Sequence, residues 1–468
     1  MSVVTLGCGR NEVDSDQVTG ALEGAGFVVA EDPGDADCIL VNTCTFIEPA
    51  RAESVEVILA ACDAQSAKAV ADGTLPVVVM GCMAEQHGAE LASSLPEVAA
   101  VVGFADYPRL PEVVADAIGS GPGTVSPRAP SSAAPVQPGR LLPLAGRTPA
   151  PLVAPPTAQF PVRTAPRGVW AYMKLAGGCD RACTFCTIPS YRGGFASRPV
   201  SELVAETRWL VQRGVREIVG VSENTTSWGK DRPGGRGRQV QLLRALEGVD
   251  GLERIRLLYL QPDELRPELL DVMAGSDVVA SYFDLSLQHA SPTVLTRMAR
   301  AGGAERFLSL IEGIRARDPG AVFRSSFILG FPGETDDDVE LLAQFLADAQ
   351  LDWVGLFTYS REEATPSARM PGQVSPAEAR ARRDHVLGVA EWVAQERAQA
   401  FIGRELSVLI EEREGPDAVG RSYREAPETD GEIRLTGCSA PVGASVRVSI
   451  AETHGVDLMA AEPDGRLA

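Results

Sequence analysis

A proline-rich stretch divides this chain and limits how it can fold. Between residues 121 and 160, ten of the 40 positions are proline, and none is aspartate or glutamate. This composition is typical of a linker, because it lacks the periodic apolar residues from which a core is built. The 468 residues must therefore fold as separate units on either side of it, and the length predicts about three domains.

The pattern of apolar residues assigns a fold to each unit of a mainly α/β chain. Strand-like and helical segments alternate at the start, which predicts a doubly wound domain with a parallel sheet. After the linker, repeated βα units predict a complete or partial α/β barrel, with its chemistry at the carboxyl ends of the strands. Short β runs separated by Gly and Pro then predict a small all-β module. We place these domains at residues 1–118, 165–397 and 398–468, with the linker at 119–164.

Charge and hydropathy narrow the classes of partner and location. The formal net charge of −20 disfavours binding to phosphate backbones, so we expect a basic partner and no stable complex with nucleic acid. The chain starts without a basic leader, and no apolar run reaches the roughly 18 residues that span a bilayer. We therefore expect a cytoplasmic protein with no membrane association.

Three cysteines within eight residues form the most informative motif. Cys179, Cys183 and Cys186 have CxxxCxxC spacing, and thiolates are the usual ligands of iron–sulfur clusters. Three ligands on a 4Fe-4S cube would leave one iron open to a small bidentate molecule, as a reactive cluster requires. The spacing alone leaves a structural zinc site or unligated thiols as alternatives.

A second trio of cysteines follows predicted strands of the first domain. Cys8, Cys44 and Cys82 each lie just past an apolar strand-like segment. Because the carboxyl ends of parallel strands line one crevice, these thiols are candidates for a second cluster with an open iron. Any one of them alone would more often be a small core residue. No ligand role is predicted for the remaining cysteines, Cys38, Cys62 and Cys438.

Polar residues at predicted barrel strand ends are candidates for a ligand pocket. A barrel places its ligands beside such residues, but each one taken singly is weak evidence. A buried histidine is about as often structural, and an arginine is about as often an ion-pair partner. The candidates are Glu223, Asn224, Gln288, His289 and Arg324.

The cysteine loop resembles that of the radical S-adenosylmethionine (SAM) superfamily. It follows the first predicted barrel strand, and an aromatic residue, Phe185, directly precedes its last cysteine. The resemblance implies that SAM binds the open iron and is reductively cleaved to a 5′-deoxyadenosyl radical. It also implies that Phe185 and the strand-end residues line the SAM pocket. The electron would come from a donor such as flavodoxin or ferredoxin.

The two cysteine trios and the terminal β-module together resemble the methylthiotransferase family. This resemblance covers the whole chain except the linker, and it implies that the N-terminal trio holds a second 4Fe-4S cluster. In that family, sulfur on this cluster is methylated by SAM before the methylthio group is transferred. Gly9 and Arg10 depart from the Pro-Lys that usually follows the first cysteine, and Ala182 replaces a common basic residue.

Five short segments resemble one branch of the family, which modifies an aspartate β-carbon in ribosomal protein S-twelve. The rival branch modifies adenosine in transfer RNA and typically has Gly-Gln-Asn at 222–224. A non-catalytic iron–sulfur carrier is an alternative of another class. The segments are NEVDS at 11–15, SEN at 222–224, WGKD at 228–231, GRSY at 420–423 and APETDG at 426–431.

The terminal module resembles a TRAM domain, which contacts RNA in RNA-modifying relatives. From residue 401 to 468 it has 13 Asp and Glu against 7 Arg, a net charge of −6. Such a module would be repelled by RNA but attracted to a basic protein. We therefore expect ribosomal protein S-twelve or the small ribosomal subunit as partner, although a merely solubilising acidic surface is an alternative.

The two-trio hypothesis predicts a specific pattern of iron loss. After reconstitution, Cys8→Ala and, separately, Cys179→Ala should each lose about half of the bound iron, because each removes a ligand from only one cluster. Cys438→Ala serves as the control and should retain all of it. Chemical iron analysis checks this, and full iron in either ligand variant would contradict the hypothesis.

Overall fold

The structure is a computed structural model that describes residues 1–30, 32–71, 75–119, 163–235 and 237–461. For residues 65–71 and 461 it describes the backbone alone. Residues 120–162, nearly all of the predicted linker, lie outside the described residues. None of the described helices is long and apolar enough to cross a membrane. The chain divides into two compact units. The first contains Met1–Ala165, Gly177–Arg181 and Cys186–Ala196, and the second contains Pro166–Ala176, Ala182–Phe185 and Ser197–Ala468.

The first unit is built on a four-stranded parallel sheet. Its strands follow the order β1-β2-β3-β4, and every residue of β2 and β3 is buried, as expected for strands covered on both faces. The strands are β1 (Ser2–Thr5), β2 (Ile39–Thr43), β3 (Val77–Gly81) and β4 (Ala100–Val102). The helices are α1 (Gly9–Gly24), α2 (Glu48–Ala71), α3 (Cys82–Ser94) and α4 (Leu110–Gly119).

Helices cover both faces of this sheet, as the doubly wound prediction requires. One core cluster joins Ile58 of α2 and Leu91 of α3 to strand residues such as Val79. The other joins Leu22 of α1 and Val114 of α4 to the opposite face. Alternating side chains of each strand therefore enter different cores, which fixes the strand register.

The second unit contains the predicted α/β barrel, in its partial form. Two three-stranded parallel sheets, β5-β8-β9 and β10-β11-β12, are linked by a parallel bridge between Leu260 and Leu285. The strands are β5 (Trp170–Lys174), β6 (Ala176–Gly177), β7 (Ala196–Ser197), β8 (Glu217–Val221), β9 (Arg254–Leu257), β10 (Tyr282–Gln288), β11 (Val322–Leu329) and β12 (Trp353–Thr358). The short helix α5 (Ile188–Arg192) belongs to the first unit. The helices of the second unit in this region are α6 (Val200–Val211), α7 (Gln239–Glu247), α8 (Pro267–Gly275), α9 (Pro292–Arg297), α10 (Ala304–Arg315), α11 (Asp336–Ala349) and α12 (Pro376–Gln399).

The predicted β-module is a small closed barrel in the same unit. Its strands pair in the order β13-β14-β15-β17-β16. Alternate residues of β16, such as Val446, Val448 and Ile450, point inward and are buried, which is the period of a half-buried strand. The strands are β13 (Glu405–Glu414), β14 (Asp417–Arg421), β15 (Ile433–Thr436), β16 (Ser445–His454) and β17 (Asp457–Ala461).

A buried ion-pair network attaches this module to the α/β barrel. Glu217, the first residue of β8, is fully buried and lies 2.9 Å from Arg256 Nε, 3.2 Å from Arg254 Nη1 and 3.1 Å from Arg421 Nη2. Burial raises the pKa of Glu217, but the three guanidiniums outweigh it and lower this pKa to about 2. The carboxylate is therefore charged at neutral pH and compensated inside the unit.

The network lies at the amino ends of the barrel strands. Arg256 donates to the carbonyl oxygens of residues 422 and 423, and Tyr282, the first residue of β10, donates from its hydroxyl to Asp430 at 2.6 Å. The indole of Trp353, the first residue of β12, donates to the carbonyl oxygen of Arg424 at 2.9 Å. The β-module thus covers these strands where they begin.

Glu217→Gln should strongly destabilise the second unit. The change leaves buried guanidiniums without their carboxylate, a cost of about 3–5 kcal/mol at pH 7. Because the folded pKa is depressed, the stability that Glu217 contributes is present above the unfolded value of 4.5 and is lost as pH falls through about 2.

Thermal unfolding of cluster-free protein tests this. The gap in melting temperature between wild type and Glu217→Gln should narrow as pH falls from neutral toward 2. Glu414→Gln is the control, since Glu414 forms an exposed pair with Arg434, and it should cost less than about 1 kcal/mol. A gap that does not depend on pH would contradict the assignment.

The glycine that ends β3 should tolerate no side chain. Gly81 has φ of +95°, and an added Cβ would lie 2.3 Å from Asn42 Oδ1 and 2.6 Å from the Thr43 carbonyl oxygen. Gly26 has the same φ but nothing within 4 Å of that position. Gly26→Ala should therefore cost only the left-handed strain of about 1–2 kcal/mol, whereas Gly81→Ala should add a clash of about 1–3 kcal/mol. Equal melting temperatures for the two variants would refute this.

Candidate functional site

The three thiols of the first domain converge at one edge of its sheet. Cys8 is the N-cap of α1, Cys44 follows β2, and Cys82 begins α3 directly after β3. The charges of Cys8 and Cys44 both act to raise the pKa of Cys82, so the three sulfurs lie within electrostatic reach of one another. The structure therefore brings together the residues that the sequence places past separate strands.

Two arginines face these thiols. Arg10 Nε donates to Cys8 Sγ at 3.3 Å, and Arg192 Nη2 donates to Cys82 Sγ at 3.0 Å. Burial acts to raise the pKa of Cys8, but Arg10 and Arg192 together bring it below 9.0. Burial prevails at Cys82, where it raises the pKa to about 11 despite Arg192. The crevice therefore combines sulfur donors with cations that favour thiolates.

The NEVDS segment holds this crevice together. Asn11 donates to the Leu6 carbonyl oxygen at 2.7 Å, and Asn42 donates to the Ser15 hydroxyl at 2.9 Å. The Asp14 carboxylate accepts a hydrogen bond from Arg192 Nη1 at 2.8 Å. This sequence motif thus acts by fixing the strand ends and one of the cations.

The other cysteines differ sharply from this trio. Cys38 and Cys62 lie in the two core clusters of the first unit. Burial raises the pKa of Cys38 to about 12 and that of Cys62 to about 11. Cys438 is fully buried in the β-module. These thiols behave as small apolar core residues.

Part of the cysteine loop belongs to the first unit. Gly178 has φ of +73°, and an added Cβ would lie 2.2 Å from the Gly194 carbonyl oxygen, so only glycine fits before Cys179. The Cys179 amide donates to the Gly193 carbonyl oxygen at 3.1 Å. Burial, followed by the charges of Cys82 and Cys186, raises the pKa of Tyr191. The ring of Tyr191 therefore lies near one thiol of each trio.

The remaining part of the loop belongs to the second unit. Arg300 Nη1 approaches Cys183 Sγ at 3.7 Å. The amide of Thr184 donates to the Met298 carbonyl oxygen at 3.1 Å. Phe185 packs edge-on against Phe331 with ring centroids 6.4 Å apart. These contacts fix residues 183–185 beside the segments that follow β10 and β11.

The donor chemistry of both trios fits iron–sulfur clusters. In the part of the chain that the structure describes, no three His, Cys, Asp or Glu side chains are grouped to hold one metal ion. A 4Fe-4S cluster presents a different iron to each thiolate, so its ligands need not share one ion. Thiols with arginine donors at the N-terminal trio and at Cys183 suit an anionic, thiolate-bound cluster.

The predicted SAM-pocket residues fall into two groups. Glu223 is half-buried directly after β8, and Gln288 ends β10 with φ of +73°, a strained conformation of the kind found at functional sites. Asn224 is fully buried, and its side-chain oxygen accepts from Thr226 and from the Ser227 amide. Asn224 thus shapes the turn, and the role of Glu223 and Gln288 in a ligand pocket stays a prediction.

His289 lies within a buried polar network. Its Nδ1 accepts from the Ser291 amide at 2.9 Å, and its Nε2 lies 3.4 Å from Glu334 Oε2. Glu334 in turn accepts from the Gly330 amide and from Arg382. The Nδ1 atom is thus hydrogen-bonded, whereas Nε2 lies near the Glu334 carboxylate without a hydrogen bond among the described residues.

Arg324 lies in the first half of its strand. It is the third residue of the eight-residue strand β11, roughly 16 Å before its carboxyl end at about 3.3 Å per residue. Its guanidinium lies 3.6 Å from Asp284 and 3.5 Å from Asp430. Arg324 thus forms two ion pairs in the second unit, and the expectation that it lines the pocket stays a prediction.

Sequence reasoning missed the arginines that face the thiols. Arg10, Arg192 and Arg300 are respectively two, 110 and 117 residues from the cysteines they contact. Only Arg10 had a local signal, its place two residues after the first cysteine. Tyr259 was also missed. It lies just past β9 with φ of +61°, and its amide donates a hydrogen bond to Asp284.

Comparison with known families matches three successive regions of the chain. Residues 1–103 match the family described as "Uncharacterized protein family UPF0004". Residues 173–346 match the Radical SAM superfamily. Residues 402–461 match the TRAM domain. These regions correspond to the parallel sheet domain, the partial α/β barrel and the closed β-barrel.

Relatives and solved structures agree with this organisation. The radical SAM methyltransferase TsrM from Kitasatospora setae, with cobalamin and a 4Fe-4S cluster bound, has a TM-score of 0.51 at 18% identity over 75% of this chain and 70% of its own, which shows a shared fold. "Ribosomal protein uS12 methylthiotransferase RimO" of Acidothermus cellulolyticus is 44% identical over 100% of this chain and 96% of its own. The protein of that name from Streptomyces coelicolor is 43% identical over 98% and 96%. The chain therefore belongs to the RimO family of radical SAM methylthiotransferases, enzymes that use SAM and a 4Fe-4S cluster.

Proposed function

We propose that this chain transfers a methylthio group to the β-carbon of an aspartate in ribosomal protein uS12, using SAM and two 4Fe-4S clusters. The relatives that match almost the whole chain are named for that substrate. The observation that carries the proposal is the crevice formed by Cys8, Cys44 and Cys82 with its two arginine donors. A radical SAM enzyme that only abstracts hydrogen would need no second set of thiolates.

Each trio has its own role in this proposal. Cys179, Cys183 and Cys186 hold the cluster that binds SAM, and the N-terminal trio holds the auxiliary cluster. When bound, these groups supply the reductive cleavage of SAM and the sulfur that is transferred. The chain orients them and excludes water from the radical.

The SAM pocket lies at the carboxyl ends of the barrel strands. Phe185 packs there against the buried Phe331. Two polar residues also lie at strand ends, since Glu223 comes just after β8 and Gln288 is the last residue of β10. Asn224 and His289 support the pocket by fixing its turns. A small reducing protein such as flavodoxin or ferredoxin delivers the electron, and we place the enzyme in the cytoplasm with its ribosomal substrate.

The β-module docks the substrate by charge. Two of its arginines, Arg421 and Arg424, are buried and paired inside the unit, so they do not offset the acidic surface. Exposed carboxylates remain on β13 and β16, at Glu405, Glu412 and Glu452. Such a surface attracts the Lys- and Arg-rich proteins of the ribosome and repels an RNA backbone.

The product identifies the substrate. Chain reconstituted with both clusters is incubated with SAM, sulfide and a reductant, and with small ribosomal subunits, free uS12 or transfer RNA. Mass spectrometry should find the methylthio group on one aspartate of uS12. A group found only on transfer RNA would overturn the choice of substrate. If no 5′-deoxyadenosine forms from SAM, the chain is an iron–sulfur carrier instead.

Neutralising the module surface should slow modification without changing SAM cleavage. The triple variant Glu405→Gln, Glu412→Gln, Glu452→Gln should lose roughly threefold to tenfold in rate at limiting uS12 and low salt, because steering is weakened. Its formation of 5′-deoxyadenosine without substrate should be unchanged.

A matched variant controls for net charge. Glu305→Gln, Glu312→Gln, Glu391→Gln removes the same three charges from exposed positions of α10 and α12. It should modify uS12 at the wild-type rate. Equal rates for the two triple variants would show that the β-module surface does not dock the substrate.

A further inference from the structure

The side chain of Arg192 is held from three sides in the first unit. Nη1 donates to Asp14 Oδ2 at 2.8 Å, and Nη2 donates to Asn11 Oδ1 at 2.7 Å. Its guanidinium carbon lies 4.6 Å from the centre of the Phe104 ring, a cation–π distance. Only 9% of the side chain is exposed. Its position is therefore set by the fold.

The fourth contact of Arg192 is with sulfur. Nη2 lies 3.0 Å from Cys82 Sγ, well inside hydrogen-bonding distance for a sulfur acceptor. A guanidinium has five donors in a fixed plane and does not lose its proton at accessible pH. It can therefore hold a carboxylate with one nitrogen and a thiolate with the other, which a lysine ammonium cannot do in this geometry.

A structural ion pair alone does not account for this arrangement. Asp14 already neutralises the charge of Arg192, so stability requires no contact with Cys82. Arg163 shows the plainer case of an arginine that pairs with a carboxylate, Asp16, in the same unit. The directed contact with sulfur is thus an added feature of Arg192.

We propose that Arg192 is a positioning residue that sets the reduction potential of the auxiliary cluster by donating a hydrogen bond to the Cys82 sulfur. This inference rests on the proposed function, in which the N-terminal trio holds that cluster. Hydrogen bonds to ligand sulfur stabilise the more negative, reduced state and so raise the potential. Asp14, Asn11 and Phe104 keep the donor in place.

The test isolates the auxiliary cluster in the full-length chain. In a parent with Cys179→Ala, Cys183→Ala and Cys186→Ala, reconstituted with iron and sulfide, the midpoint potential is measured by a redox titration followed by electron paramagnetic resonance. Adding Arg192→Met should lower the potential, and Arg192→Lys should give a smaller decrease. Arg109→Met is the control, since Arg109 pairs with Glu112 at the surface, and it should leave the potential unchanged.

The outcomes separate this inference from the proposal on which it rests. If the parent binds no cluster, the auxiliary cluster itself is refuted. If the parent binds one and both Arg192 variants keep its potential, the role of Arg192 is refuted. Should Arg192→Met fail to take up iron, the potential of Arg192→Lys decides between a decrease and no change.

Discussion

The register of the parallel sheet in the first unit is the constraint on which the N-terminal site depends. Thr43 and Gly81, the last residues of β2 and β3, are paired. The residues that follow them, Cys44 and Cys82, therefore lie side by side. A shift of one residue would turn one of these thiols toward the opposite face. The two core clusters that pack against the faces of the sheet prevent such a shift. Apolar packing on the faces of the sheet thereby sets the distance between the Cys44 and Cys82 thiols at its edge.

The sequence was sufficient where function follows from local spacing or from strand ends. The six cysteines could be chosen because three share one loop and three follow apolar strands. The arginines that face them could not, since the approach of Arg192 to Cys82 joins residues 110 positions apart and depends on the folded backbone. For Arg324, the distance from the carboxyl end of β11 likewise became known only from the folded strand.

The composition of the chain does not show which of its charged residues are buried. The chain has a formal net charge of −20, yet several arginines lie inside, where they compensate carboxylates or face sulfur. Arg256 and Arg424 are fully buried, and Arg192 nearly so. Buried arginines of this kind fix the geometry of a site or an interface and do not help the protein to bind polyanions. Within the β-module, the buried Arg424 is matched by the buried Glu425, so the pair does not change the net charge of the surface.

The seam between the β-module and the barrel strands has an evolutionary consequence. Its partners come from distant parts of the chain, with Glu217 and Arg256 on the barrel and Arg421 on the module. An exchange of modules between relatives would leave unmatched charges in a dry interface unless both sides changed together. Substitutions at this seam would therefore have to occur together, whereas the outer surface of the module is free of this constraint.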